Sequence, residues 1–185
     1  MDHREAAQAL QYERCVGIVR TAIALGSNLG DRLANLRAAR NAVVDLPGVG
    51  PPILSSAIYE TGPVSCEPGA GKFLNAVIEI DYAGAPLALL KELRKIEEAL
   101  GRPPDHPRYV SRKIDIDILY IGNTKIDTKE LQIPHPRIHE RRFVLQPLAD
   151  IRHDSILPGH VKTVRDLLAQ VADSGKVVRT EWKLE

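Results

Sequence analysis

Arg112-Lys113-Ile114-Asp115-Ile116-Asp117-Ile118-Leu119-Tyr120-Ile121 alternates strictly between apolar and charged side chains from Ile114 to Ile118. Such alternation predicts a half-buried β-strand, whose successive side chains point to opposite faces. Ile114, Ile116 and Ile118 are expected to enter a core, while Asp115 and Asp117 share the other face. Carboxylates at i and i+2 are rooted roughly 7 Å apart, so their heads can converge. Aspartate is disfavoured in strands, and two like charges side by side repel, so something positive must compensate them. Two readings are open at this point. The pair holds divalent cations such as Mg²⁺, which take carboxylate oxygens and complete their shell with substrate phosphates. Alternatively, it is the acidic outer face of a solvated edge strand.

Working outward, basic residues flank the strand on both sides. Arg102, Arg108, Arg112 and Lys113 lead into it, and Arg137, Arg141 and Arg142 follow. The whole chain carries a net charge of only +1, so bulk charge gives no sign of a nucleic-acid binder. Its 185 residues, 44% hydrophobic and 26% charged, suit one globular domain with a sizeable core. That domain is expected over residues 20–175, with an extension over 1–19 and a tail over 176–185. Cys15 and Cys66 lack metal or redox spacing and read as free thiols of a reducing compartment. No apolar run approaches the ~18 residues of a membrane span, and Met1 to Arg14 lacks the apolar core of a signal peptide. A cytoplasmic protein, more readily a monomer than an oligomer, is expected, with no membrane or nucleic-acid partner.

Before the acidic strand, Thr21 to Leu25 reads as a buried strand that turns at Gly26-Ser27-Asn28-Leu29-Gly30. Asp31 is a good N-cap for a helix carrying Leu33, Leu36, Ala39 and Val43. The glycine turn matches neither a Walker loop nor a dinucleotide fingerprint. Ile53 to Glu60 reads as a second strand and Phe73 to Tyr82 as a third, with Phe73 and Asn75 on one face and Leu74, Ala76, Ile78 and Ile80 on the other. Between them, residues 61–71 form a glycine- and proline-rich loop of the length at which loops tend to be functional. Pro86 suits the first turn of a second helix, lined by Leu90, Leu93, Ile96 and Leu100 and ended by Gly101. Ile138 to Pro147 and the stretch after Thr163 supply two further helices. The order strand, helix, strand, strand, helix, strand predicts an α+β ferredoxin-like sandwich: an antiparallel sheet with helices on one face, plus C-terminal additions. The other sheet face, with Asp115, Asp117, Phe73 and Asn75, is expected to be free.

The chain resembles the 6-hydroxymethyl-7,8-dihydropterin pyrophosphokinases of folate biosynthesis over about residues 21–170. The motifs are Ala24-Leu25-Gly26-Ser27-Asn28-Leu29-Gly30, Ser55-Ser56 through Tyr59-Glu60-Thr61, Phe73-Leu74-Asn75-Ala76, Arg112 to Leu119, Ile133-Pro134-His135-Pro136, and Arg141-Arg142-Phe143-Val144-Leu145-Gln146-Pro147-Leu148. Each is weak alone; together, in this order, they are specific.

The resemblance implies diphosphoryl transfer from ATP to the pterin hydroxymethyl group. It implies that Asp115 and Asp117 hold two Mg²⁺ ions, that Arg102 and Arg112 act on the phosphates, and that Arg102, Arg112, Ile118, His135 and Arg141 bind ATP. Thr61, Val64, Phe73, Asn75 and Phe143 are implied around the pterin. The only two phenylalanines of the chain thus fall where the family sandwiches a flat ring. The loop before the acidic strand departs from the family pattern. A basic residue two after Arg102 is replaced within Pro103-Pro104-Asp105, and Trp-Gly-Pro before Arg112 by Tyr109-Val110-Ser111, while Arg108 remains. Two prolines should stiffen this loop, which in the family closes over ATP. Glu97 and Glu98 are expected to be solvated, with Glu97 facing the nucleotide as the alternative, and the histidines other than His135 are expected to be surface residues. Another two-metal phosphoryl or nucleotidyl transferase, or an inactive binding module, are the competing functions.

Overall fold

The computed structural model describes residues 17–63, 66–103, 110–172 and 175–185. Expectations for residues 1–16, including Cys15, and for Val64, His106 and Arg108 lie outside the described residues, as does most of the altered loop.

Strand β1 (Val19–Ser27) leads through the glycine turn to helix α1 (Arg32–Val44). The Asp31 carboxylate accepts from Ala34 N at 3.0 Å and caps the helix as expected. Strands β2 (Val49–Ser55), β3 (Tyr59–Thr61) and β4 (Phe73–Tyr82) follow, then helix α2 (Pro86–Ala99) and strand β5 (Asp115–Ile121). Gly101 ends α2 with a φ of +92°, a conformation that side chains other than glycine rarely adopt. After the short hairpin β6 (Ile126–Asp127) and β7 (Gln132–Ile133) come a 3₁₀ turn (Ile138–Glu140), helices α3 (Arg142–Arg152) and α4 (Val164–Gln170), and strand β8 (Val177–Arg179). The main sheet is antiparallel in every pairing, in the order β5-β1-β4-β3-β8, with β2 also paired to β4.

The segment read as one strand from Ile53 to Glu60 is two strands. At the break, the Ser56 hydroxyl accepts from Val77 N at 2.9 Å. The freed Ala57 N–H is taken by Asp150 of α3 at 3.0 Å, and Asp150 also accepts from the Tyr59 hydroxyl. A side chain of one layer thus replaces the ladder bonds that the break removes.

Helices α1 and α2 cover one sheet face, packing Leu36, Ala39, Val43, Leu89 and Leu93 on Ile23, Leu25, Leu74, Ile78 and Ile80. The other face is not free, contrary to expectation. Val144, Leu145 and Leu148 of α3 and Val164 of α4 pack on Ala22, Val77, Leu119 and Tyr120. At one end of that contact, the buried Glu79 accepts from the Tyr120 hydroxyl at 2.5 Å and pairs with Arg152. The opposite end of the face carries Gly26, Asn75 and Asp115, with Gly26 in register between the other two.

Residues 176–185 are not a loose tail. β8 pairs with β3, Thr180 N donates to the Ile58 carbonyl at 2.9 Å, and Arg37 of α1 donates to the Lys183 carbonyl. Leu184 is 3% exposed and joins the core under α1 and α2.

Candidate active site

β5 lies at the edge of the sheet, with β1 on its one paired side. Ile114, Ile116 and Ile118 are buried, and Asp115 and Asp117 alternate with them on the partly open face. The positive charge demanded by the sequence is present. Arg102 Nη1 lies 2.5 Å from Asp115 Oδ1, Arg112 Nε 3.5 Å from Asp115 Oδ2, and Arg141 Nη1 3.8 Å from Asp117 Oδ2. Even so, burial first and the charge of Asp115 second push the Asp117 carboxyl up to about 7. Asp117 therefore resists ionisation until more positive charge arrives.

Glu97 was expected in solvent and is not there. Its side chain is 13% exposed, pairs with Arg102, and accepts the outward N–H of Ile116 at 2.8 Å. Burial raises its carboxyl above the ordinary value against the pull of Arg102. The signal was its spacing of five residues from Arg102, across the end of the helix at Gly101, which helical periodicity alone does not reveal. Burial opposes the charge on Arg102, but Asp115 and Glu97 outweigh it and raise its pKa.

His135 is held by its own N–H, which donates to the Leu119 carbonyl at 2.8 Å. Its Nδ1 accepts from Arg137 N at 3.1 Å, which leaves the proton of the neutral ring on Nε2. Burial, and then Arg141, push this histidine down to about 4, so it is neutral at pH 7. Glu97, Arg102, Asp115, Asp117, Ile118 and His135 all line one cleft of about 370 Å³. Alternate strand residues turn their backbone groups to the same side. Because Ile116 N faces Glu97, the N–H and C=O of Ile118 face the cleft as well.

A second group gathers beside the first. Asn75 is 7% exposed, and its Nδ2 donates to Thr61 Oγ1 at 2.8 Å. Gly26 lies opposite. A Cβ there would stand 3.3 Å from Asn75 Oδ1, 3.8 Å from Asp115 Cβ and 3.9 Å from Phe73 Cδ1. The bare glycine lets Asn75 and Phe73 pack close beside the acidic pair. Phe73 is buried and Phe143, in the first turn of α3, is partly exposed; Arg112 and Arg141 cap their rings at 5.7 and 5.6 Å. The fold thus lines the cleft with Arg102, Asp115, Asp117, Ile118 and His135, pairs Arg112 and Arg141 with its two aspartates, and sets Phe73 and Asn75 beside Gly26, with Thr61 bonded to Asn75. Asn28, read as a turn residue, ties this ground together by donating to Ser111 Oγ at 2.9 Å and accepting from Arg112 N at 2.7 Å.

Residues 22–153 match the family model of 7,8-dihydro-6-hydroxymethylpterin-pyrophosphokinase (HPPK). The chain belongs to the HPPK family. It is 44% identical over 134 residues to the 2-amino-4-hydroxy-6-hydroxymethyldihydropteridine pyrophosphokinase of Bacillus subtilis, covering 70% of this chain and 75% of that one. Its identity to the Methylorubrum extorquens enzyme of the same name is 38% over 158 residues, 85% of this chain and 97% of the relative. In fold, the HPPK chain is similar to a solved HPPK-DHPS in complex with substrates, with a TM-score of 0.67 at 16% identity, over 82% of this chain and 43% of that longer one. An HPPK-DHPS of Plasmodium falciparum gives a TM-score of 0.66 at 15% identity, over 86% of this chain and 46% of that one. No helix among the described residues of this HPPK is long and apolar enough to cross a membrane.

Proposed function

We infer that the chain transfers diphosphate from ATP to the hydroxymethyl group of 6-hydroxymethyl-7,8-dihydropterin, in folate biosynthesis. The hydroxymethyl oxygen bonds to the β-phosphorus as the bond from that phosphorus to the α,β-bridging oxygen breaks. AMP leaves with the bridging oxygen, and the hydroxyl loses its proton. Family membership supports the reaction class. The observation that carries the site assignment is the Asp115–Asp117 pair, set between three arginines on the cleft that Glu97, Ile118 and His135 also line.

Asp115 and Asp117 are the residues that would hold Mg²⁺. A carboxyl that resists ionisation beside a second carboxylate, as Asp117 does, fits a site made for cations. Among the described residues no third metal-ligating side chain joins them, which suits a metal whose shell is completed by phosphates and water. Bound there, Mg²⁺ supplies neutralising charge along the phosphates. Arg102, Arg112 and Arg141 give planar, permanently charged forks to the phosphate oxygens. Neutral His135 offers its Nε2–H to the nucleotide, and the free strand edge at Ile118 offers one donor and one acceptor to a base. Asn75, steered by Thr61, reads the pterin edge, and Phe73 and Phe143 stack on its faces. The strand order β5-β1-β4-β2 under two helices favours a ferredoxin-like core to which α3, α4 and β8 are added. ATP as co-substrate goes with a cytoplasmic site of action, and a monomer is sufficient for the chemistry.

The test is AMP release from Mg-ATP with and without 6-hydroxymethyl-7,8-dihydropterin, for the wild type and Asp117→Ala. Pterin-dependent AMP formation that disappears in the variant is expected. A thermal melt of the variant that matches wild type shows that the loss reports chemistry and not unfolding. AMP formation indifferent to pterin, or undiminished in the variant, overturns the assignment.

A further inference from the structure

The loop after β3 and the segment leading into β5 meet at one carboxylate. Glu67 Oε1 accepts from Ser111 N at 3.0 Å and from Ser111 Oγ at 2.5 Å, and Oε2 accepts from Ser111 N at 3.1 Å. On the other side, Asn28 holds the same dipeptide. Its Nδ2 donates to Ser111 Oγ at 2.9 Å and to the Gly71 carbonyl at 3.4 Å. Its Oδ1 accepts from Arg112 N at 2.7 Å, and its N–H donates to the Arg112 carbonyl at 3.1 Å. The backbone of Ser111 and Arg112 is therefore gripped from both sides, by a turn residue of β1 and by a residue of the pterin-side loop.

The Arg112 side chain leaves this anchor to reach Asp115 and the Phe73 ring. Its buried Nε makes no hydrogen bond, so the backbone anchor joins the Asp115 ion pair and the Phe73 contact in setting where the guanidinium stands. Hydrogen bonds to an ionised carboxylate are shorter and stronger than neutral ones. Ser111 gives both of its donors, the N–H and the hydroxyl O–H, to Glu67. A proline, which the family pattern places at this position, has neither group, so the contact belongs to this chain's departure.

We propose that Glu67 is a positioning residue for Arg112, transmitting the placement of the pterin-side loop to the phosphate site through Ser111. The proposal rests on the reading of Arg112 as a phosphate-binding residue. Glu67 itself touches neither substrate. Its role is to couple the two sites, so that order in the loop beside Thr61 also fixes the arginine.

The experiment is a double-mutant cycle on the full chain with Glu67→Ala, Ser111→Pro and both together. Titration calorimetry measures the Kd of a non-hydrolysable ATP analogue with Mg²⁺, and separately that of the pterin without nucleotide. Each single variant is expected to weaken the analogue by about 5-fold or more, the lower range of site coupling, with pterin affinity within about twofold. The double variant is expected to lose no more than either single one. Ser111→Ala keeps the N–H and is expected to lose less than Ser111→Pro, and it covers the case in which the proline disturbs folding. Losses that add, an unchanged analogue Kd, or an effect confined to pterin overturn the proposal. The function reading is decided separately, by pterin-dependent AMP release in the wild type, so the two failures are distinguishable.

Discussion

The guanidinium of Arg112 lies 5.7 Å from the centroid of the Phe73 ring. Arg141 stands in the same relation to Phe143, at 5.6 Å. Both phenylalanines of the chain are thus capped by arginines assigned to phosphate. An aromatic face accepts a cation or another flat ring, so these faces are suited to the pterin. Phe73→Leu keeps apolar volume but removes the face. Stacking of ~0.5–1.5 kcal/mol per pair predicts a roughly 2- to 12-fold weaker pterin Kd, with ATP affinity within about twofold. Fluorescence titration of pterin measures it. An equal loss for both ligands would show that Phe73 serves only packing.

Asp117 and His135 titrate in opposite senses, which makes a pH test possible. Asp117 is raised from an ordinary 3.8 to about 7. Its folded state holds the proton more tightly, so its contribution to stability is full below about pH 4 and is lost as pH rises through about 7. His135 is lowered from 6.5 to about 4. Its contribution is present above pH 6.5 and is lost as pH falls towards 4. In EDTA, Asp117→Asn is expected to melt above wild type at pH 8, with the gap closing towards pH 5. His135→Gln is expected to gain on wild type as pH falls from 6.5. Thermal melts at pH 5 and 8 decide this, and gaps that do not change with pH would sink both assignments.

Glu97 holds two partners of different kinds, the Ile116 N–H and Arg102. Glu97→Ala strips the N–H of its acceptor and Arg102 of one of its carboxylates. An unsatisfied buried donor costs about 1–3 kcal/mol, and the low end applies here because the N–H faces a cleft that water can enter. Glu97→Gln retains an acceptor oxygen and is expected to cost less. Urea unfolding checks the stability, and the KM for ATP checks whether Arg102 has lost its place. An Ala variant as stable as wild type, with an unchanged KM, would return Glu97 to the solvated role.

The alternating Ile114 to Ile118 and the 3.6-residue stripe of α1 were legible because each element's period is written in its own residues. So was Asp31 as a cap. The split between β2 and β3 was not, since it depends on Asp150, some ninety residues on, taking the Ala57 N–H. The covered second face was missed for a similar reason. Val77 and Ala22 alternate on a strand whether helices α3 and α4 come to them or water does. Glu97 looked like any charge on a helix exterior, and only the edge of β5 gives it a partner. Local pattern fixes elements, whereas long-range contact decides which face is wet.

Leu184 is the extreme case of that rule. One residue from the end of the sequence, it is 3% exposed in the core under α1 and α2. The path to it is built from backbone bonds: β8 on β3, Thr180 on Ile58, and Arg37 on the Lys183 carbonyl. β3 spans only Tyr59–Thr61, and in register Thr61 lies between Phe73 of β4 and Val177 of β8. Replacing a buried leucine by alanine costs about 2–5 kcal/mol. Leu184→Ala is expected at the low end of that range, because the segment hangs on β8, an edge strand bonded on one side to β3 alone. The same variant is expected to weaken pterin more than ATP, since a loosened β8 frees the Thr61 that orients Asn75. Urea unfolding gives the first quantity and paired ligand titrations the second. Full stability in the variant would mean that the C-terminal residues leave the core in solution.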